Sequence, residues 1–295
     1  MNASIKKSPR TIVSTDRQSA VEREMLRLVS EFARTGDSLA SAFSFHLSSG
    51  GKRTRAEVCL SSSQSLGLSH DDSVVLATVV ELLHNASLIQ DDFQDRSPLR
   101  RGTPAIWNHF GPDTAIGLTD LAISASFRAL ADFSRLDRLP FLLNTLHRAI
   151  AVTLRGQADD LNGAPESATS ALSTALRKSG PLFSLSLELP LIASGQESYL
   201  SLAREAAEGF GVGYQICDDL SDVEEDRSQK SCGNLVLVLE QTMTKEAALA
   251  DAHRLASEHL DRTVSTARLL PQGCGDTLVA LTAAVQRRLL SHSDG

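Results

Sequence analysis

Apolar residues in this chain recur at helical spacing, in long Ala/Leu/Glu/Arg-rich segments separated by short Gly, Pro, Asn, Asp and Ser stretches. The pattern predicts helices over 18–35, 37–48, 52–67, 71–95, 113–134, 139–160, 167–178, 181–194, 198–226, 244–262 and 275–291. Ser69 and Ser198 are the N-cap candidates. Pro181 is expected to break the helical stretch around it, because it lacks an N–H and disfavours α geometry at Gly180. Runs of β-branched and aromatic residues with period-two alternation do not appear, and nothing resembling a linker or short repeat divides the chain. The expectation is all-α: a single domain over 18–295 behind a flexible polar tail over 1–17.

The helix over 71–95 is the most informative. From Val74 to Leu83 it is apolar almost all round, which marks a central, buried helix. Its far end then collects His84, Asn85, Ser87, Gln90, Asp91, Asp92 and Asp95. An apolar shaft with a charged mouth points to a deep greasy cavity with a reacting head at its opening. A core helix whose end merely reaches solvent explains one such end, but not a second of the same design at Asp218-Asp219-Leu220-Ser221-Asp222. Asp91 and Asp95 share a helix face, as do Asp218 and Asp222. Two such faces opposed across a pocket would suit Mg²⁺, which takes one or two carboxylates and completes its shell with water and substrate phosphates.

Composition narrows the field. A net charge of −7 over 295 residues argues against a nucleic-acid surface. Cys59, Cys217, Cys232 and Cys274 show no C-x-x-C spacing and read as reduced thiols of a cytoplasmic protein. The basic, polar N-terminus lacks the apolar core of a secretory signal. No run of about 20 uninterrupted apolar residues exists, so no membrane span is expected. An anionic substrate must then be held by local cations or through metal.

Three basic elements are candidates. Gly50-Gly51-Lys52-Arg53-Thr54-Arg55 stands where a loop enters a helix, though it lacks P-loop spacing. Arg100 and Arg101 either neutralise the acidic helix end before them or face a phosphate, which guanidinium groups bind bidentately. Lys178 and Ser179 are either surface residues at a helix break or a phosphate lysine beside dipoles for a developing cation. The histidines form no ligand set, and His84 reads as a polar group near the cavity mouth.

Taken in order, these elements resemble the trans-isoprenyl diphosphate synthases. The resemblance runs over about 45–235 and includes Gly156-Gln157 with Asp160 and Tyr214 through Asp222. It implies an isoprenoid synthase fold, an antiparallel helical bundle around a deep central cavity, in a homodimer. Asp91, Asp95 and Asp218 would be magnesium ligands, with Asp92, Asp219 and Asp222 as ligands or their supports, for three Mg²⁺ per site. Lys52, Arg55, His84 and Arg101 would hold isopentenyl diphosphate. Arg100, Lys178 and Gln215 would hold an allylic diphosphate (dimethylallyl, geranyl or farnesyl), and Ser179 would face the carbocation. Lys230 matches a further family lysine. Chain length would be set by Ala86 and Ser87, with Leu82 and Leu83 beneath, giving geranylgeranyl diphosphate; farnesyl or longer products are the alternatives. A terpene cyclase would not need Lys52, Arg55 and Arg101, and a non-catalytic partner subunit would not need both acidic sets. The chain departs from the family at Ala56 (for proline), Thr119-Asp120 (for Gly-Asp) and Asn234 (for a lysine).

Overall fold

Twelve α-helices, three 3-10 turns and one minimal hairpin make up the described residues, 9–161, 167–229 and 233–291, of the computed structural model. In chain order they are α1 (Pro9–Val29), α2 (Ser38–Ser48), α3 (Thr54–Ser65), α4 (His70–Gln94), β1 (Leu99–Arg100), β2 (Thr103–Pro104), α5 (Ile106–Phe110), α6 (Pro112–Leu130) and α7 (Leu139–Leu161). There follow α8 (Ala168–Ser194), α9 (Leu200–Gln229), α10 (Leu235–Leu239), α11 (Lys245–Ala267) and α12 (Asp276–Ser291). The all-α expectation holds. The chain forms two compact units, one from 1–64 and 68–143, the other from 65–67 and 144–295.

In the first unit α4 is the central element, packed against α1 and α6. Val75, Leu76, Ala77, Val79, Val80, Leu82, Leu83, Ala86 and Ile89 are all buried, so the shaft has no solvent face. Alanines 115, 122, 125 and 129 of α6 are buried with it and allow close helix approach. α4 is long and apolar enough to cross a bilayer, yet 78% of its most apolar window is buried. Ser69 caps α4 as expected, accepting from the Asp72 N–H at 3.1 Å. The Asp72 carboxylate in turn accepts from the Ser134 N–H and hydroxyl.

In the second unit α9 is the long scaffold, packed on α8, α11, α10 and α12. Glu188 of α8 is fully buried and accepts from Arg148 of α7, Arg204 of α9 and Ser184. A charge this deep is tolerable only because three donors converge on it.

Several boundaries differ from the sequence reading. α1 begins at Pro9, inside the segment expected as tail. α8 runs unbroken through Pro181 and Pro190. Leu182, Phe183, Leu185, Leu187, Leu189 and Leu191 are all buried, and burial of about 1.5–3 kcal/mol per such side chain outweighs the ~3 kcal/mol cost of an interior proline. The carbonyl of Arg177, four residues back, still has no amide donor at Pro181. Gly156 of α7 lies against this stretch: a Cβ there would stand 2.6 Å from the Arg177 carbonyl carbon. Ser198 lies in a 3-10 turn before α9 instead of capping it. The hairpin and the five-residue helices α5 and α10 are too short to leave a periodic signal.

Candidate active site

Helix α4 ends in three carboxylates with no basic residue in its last turn. The negative end of the helix macrodipole opposes each of them by about 0.3–1 kcal/mol, so they are not there for helix stability. Asp91 is half-buried and Asp95 exposed. Asp95 caps the helix in αR geometry, with its N–H on the Asp91 carbonyl at 2.8 Å, which keeps both side chains on one face. Asp92 is buried and differs in role. Arg100 Nε reaches both its oxygens at 3.0 and 3.1 Å, and Nη2 closes on Oδ1. Burial pushes the Asp92 carboxyl up, and Arg100 pulls it back.

Arg100 is delivered by a hairpin turn. Leu99 pairs with Pro104 and Arg100 with Thr103, leaving Arg101 and Gly102 as the two loop residues. Both have positive φ (54° and 77°), as a type I′ turn requires. Arg101 is thereby turned toward the other basic element, where its Nη1 donates to the Gly50 carbonyl. Burial, with Arg53 and Arg100 close by, works against its charge. Arg53, also at positive φ, is buried in an ion pair with Glu22 at 2.8 Å. Lys52 is exposed. The first unit thus gathers Lys52, Arg53, Arg55, Arg100 and Arg101 with one tight carboxylate partner each for Arg53 and Arg100.

Beneath these cations lies a polar network. Arg55 Nη1 stands 3.3 Å from His84 Nε2; since guanidinium only donates, that nitrogen accepts and the ring is neutral. Burial, followed by the Arg55 charge, holds the His84 pKa well below its ordinary value. His46 Nε2 donates to Asn85 Oδ1 at 3.0 Å, and Asn85 Nδ2 donates to the Glu81 carbonyl. Burial lowers the His46 pKa to about 4. Glu81 is fully buried, pushed up by burial, and accepts the Ala56 N–H at 3.0 Å. Proline at position 56 would have no such N–H to offer. The departure at Ala56 therefore pins the start of α3, and with it Arg55, to α4. Leu82, Leu83 and Ala86 are buried; Ser87 is half-buried and donates to the His84 carbonyl.

In the second unit a cavity of about 380 Å³ is lined by Lys178, Ser179, Gln215, Asp218, Asp219 and Asp222, together with Asp160, Asp226 and Asn234. Lys178 pairs with Asp160 at 3.0 Å. Asp219 is the most buried of the aspartates on α9; burial lifts its carboxyl to about 6, against hydrogen bonds from the Leu235 N–H and Gln215 Nε2. Asn234 ties α10 to α9. Its Oδ1 caps α10 by accepting from Val236 and Leu237, while Nδ2 donates to the Asp219 carbonyl and to Asp226, all between 2.8 and 3.4 Å. A lysine could not make the accepting half of this arrangement. Lys230 lies outside the described residues.

The structure thus places Lys178, Ser179, Gln215, Asp218, Asp219 and Asp222 around one cavity. It sets Asp92 and Arg100 on each other. Asp226 and the capping role of Asn234 escape sequence reading; only the i, i+4, i+8 spacing of Asp218, Asp222 and Asp226 could have added Asp226. Among the described residues no three acidic, histidine or cysteine side chains gather into a ready-made metal cage. The donors are hard oxygens around an open cavity, which fits a cation arriving with substrate phosphate and water better than one held by protein alone.

Residues 37–236 match the polyprenyl synthetase family. A geranylgeranyl diphosphate synthase from Pantoea ananas is 35% identical over 228 residues, 71% of this chain and 74% of the relative. An all-trans-nonaprenyl-diphosphate synthase (geranyl-diphosphate specific) from Rhodobacter capsulatus is 31% identical over 226 residues, 74% of this chain and 67% of the relative. The solved geranylgeranyl pyrophosphate synthetase of the archaeon Geoglobus acetivorans shares the fold at a TM-score of 0.81 and 22% identity, covering 92% of this chain and 98% of that one.

Proposed function

Because the chain belongs to the polyprenyl synthetase family and is a trans-prenyltransferase, we propose that it condenses isopentenyl diphosphate with an allylic diphosphate head to tail, yielding geranylgeranyl diphosphate. The observation that carries this reading is the α9 cavity, where a lysine and a serine lie among five carboxylates. Carboxylates alone repel a diphosphate; with divalent cations between, they bind it. Asp91 and Asp95 of α4 would hold magnesium, as would Asp218, Asp219 and Asp222 of α9, with three ions in all. Bound magnesium supplies charge neutralisation on the departing diphosphate.

The protein's own groups do the remainder. Lys178 and Gln215 orient the allylic diphosphate, and Lys52, Arg55, Arg101 and His84 hold that of isopentenyl diphosphate. Arg100, which balances the Asp92 charge, would also hold the allylic diphosphate. As the allylic C–O bond breaks, the electron pair leaves with diphosphate, and the Ser179 hydroxyl dipole faces the cation. The isopentenyl double bond then attacks C1, and a proton passes to the released diphosphate. The enzyme is expected to be a cytoplasmic homodimer.

One assay tests the reading. Purified protein with Mg²⁺ and both substrates should give elongated product, and either substrate alone should give none. Cyclic product from the allylic diphosphate alone would replace synthase with cyclase.

Product length offers a second prediction. Ala86 lies five residues before Asp91, about 7.5 Å deeper along α4. Ala86→Phe should shift the main product from C20 toward C15 by mass spectrometry. An unchanged product would show that the chain does not grow along α4.

A further inference from the structure

The C-terminal helix α12 brings a cation to the acidic face of α9. Arg288 Nη2 donates to Asp218 Oδ1 at 2.6 Å, and the guanidinium carbon stands 5.5 Å from the centre of the Tyr214 ring. Tyr214 and Asp218 are four residues apart on α9, so a single helix face supplies both the aromatic platform and the carboxylate. Seventy positions separate the ion-pair partners, and no local motif announces the contact.

The side chains are 36% and 34% exposed, so the pair adds little to folding stability. Its location matters more than its strength, because Asp218 opens the set assigned to magnesium. Two effects of Arg288 on metal binding compete. Holding Asp218 in one rotamer favours a ligand, but that gain is limited to the freedom of one short side chain. A fixed positive charge beside the carboxylate repels an arriving divalent cation, an effect that scales with both charges and declines only slowly with distance. The second effect is the larger.

We propose that Arg288 is the internal counter-ion of the α9 acidic set, occupying Asp218 until a divalent cation displaces it, and so setting the cation concentration at which the site fills. This rests on the reading of Asp218 as a metal ligand, and the two can be tested separately.

The experiment uses the full chain without substrate, with Mn²⁺ as probe and free Mn²⁺ read by electron paramagnetic resonance. Arg288→Gln keeps a donor but removes the charge, and should bind Mn²⁺ roughly threefold to tenfold more tightly, the scale of one screened surface charge. Arg288→Lys should stay near wild type, and Asp218→Asn should lose at least about tenfold. If Arg288→Gln does not fold, Tyr214→Leu, which removes the platform, should shift binding in the same direction by a smaller factor. Unchanged or weaker Mn²⁺ binding in Arg288→Gln, or in Tyr214→Leu where that stands in, with Asp218→Asn still impaired, overturns the counter-ion role alone. Wild-type binding in Asp218→Asn overturns the ligand reading beneath it, and the proposal with it.

Discussion

Asp91→Asn should lower turnover by about 10²–10³-fold, equivalent to roughly 3–4 kcal/mol of transition-state stabilisation. The substitution keeps shape and polarity and deletes one negative charge from the end of α4. That charge opposes the helix dipole and stands near Asp92 and Asp95, so its loss should leave the melting temperature unchanged or slightly raised. The Michaelis constant for isopentenyl diphosphate should move little, because Lys52, Arg55 and Arg101 are untouched. A large rate effect joined to a neutral stability effect separates a chemical role from a structural one. Near-normal turnover would take Asp91 out of the metal set. Arg100→Ala makes the useful contrast: Asp92 is buried and would lose its donor, so stability should fall together with rate.

The second large effect is on stability against acid. His46 and His84 are both held neutral by burial, His46 at about 4 and His84 well below its ordinary value. In the unfolded chain both take up protons near pH 6.5. At these two rings the unfolded state therefore binds more protons than the folded one as pH falls below about 6.5, and their contribution to stability declines. Above that pH the contribution is complete; for His46 it is lost between about 6.5 and about 4. His46 alone accounts for about 3 kcal/mol over this range, and His84 adds in the same direction. Glu81, Asp92, Glu208 and Asp219 work the other way, since their raised carboxyls favour the fold as they become protonated. The His46 contribution is therefore read as a difference: in urea unfolding at pH 7.5 and pH 4.5, His46→Gln should lose less stability on acidification than the wild type, by about 3 kcal/mol. An equal pH dependence in the two proteins would mean that water reaches this ring.

Legibility in the sequence followed the range of the interaction. The helix over 71–95 was readable because its apolar run and its acidic end lie within one stretch of chain, and α4 matches it closely. The acidic set on α9 was readable for the same reason. Lys178 and Ser179 were found as candidates, but for a helix break that does not occur: burial on both sides of Pro181 overrides the local preference. Arg100 had two readings, and the turn at Arg101-Gly102 lays it on Asp92, a contact that its neighbours in sequence did not announce. Asn234 stood out as a missing lysine, while its four hydrogen bonds, spread over α9 and α10, could not be inferred from its neighbours.

By itself, the sequence determined that the chain is helical, which helix lies at the centre of its unit, and which carboxylates cluster on one helix face. These follow from periodicity and composition within a few turns of chain. Only the tertiary structure decided which polar groups partner one another: Arg100 on Asp92, the Ala56 amide on Glu81, Arg288 on Asp218, three donors on Glu188. Such pairings depend on packing between elements distant in sequence, and the energy of a charge depends on the burial and partners that packing gives it.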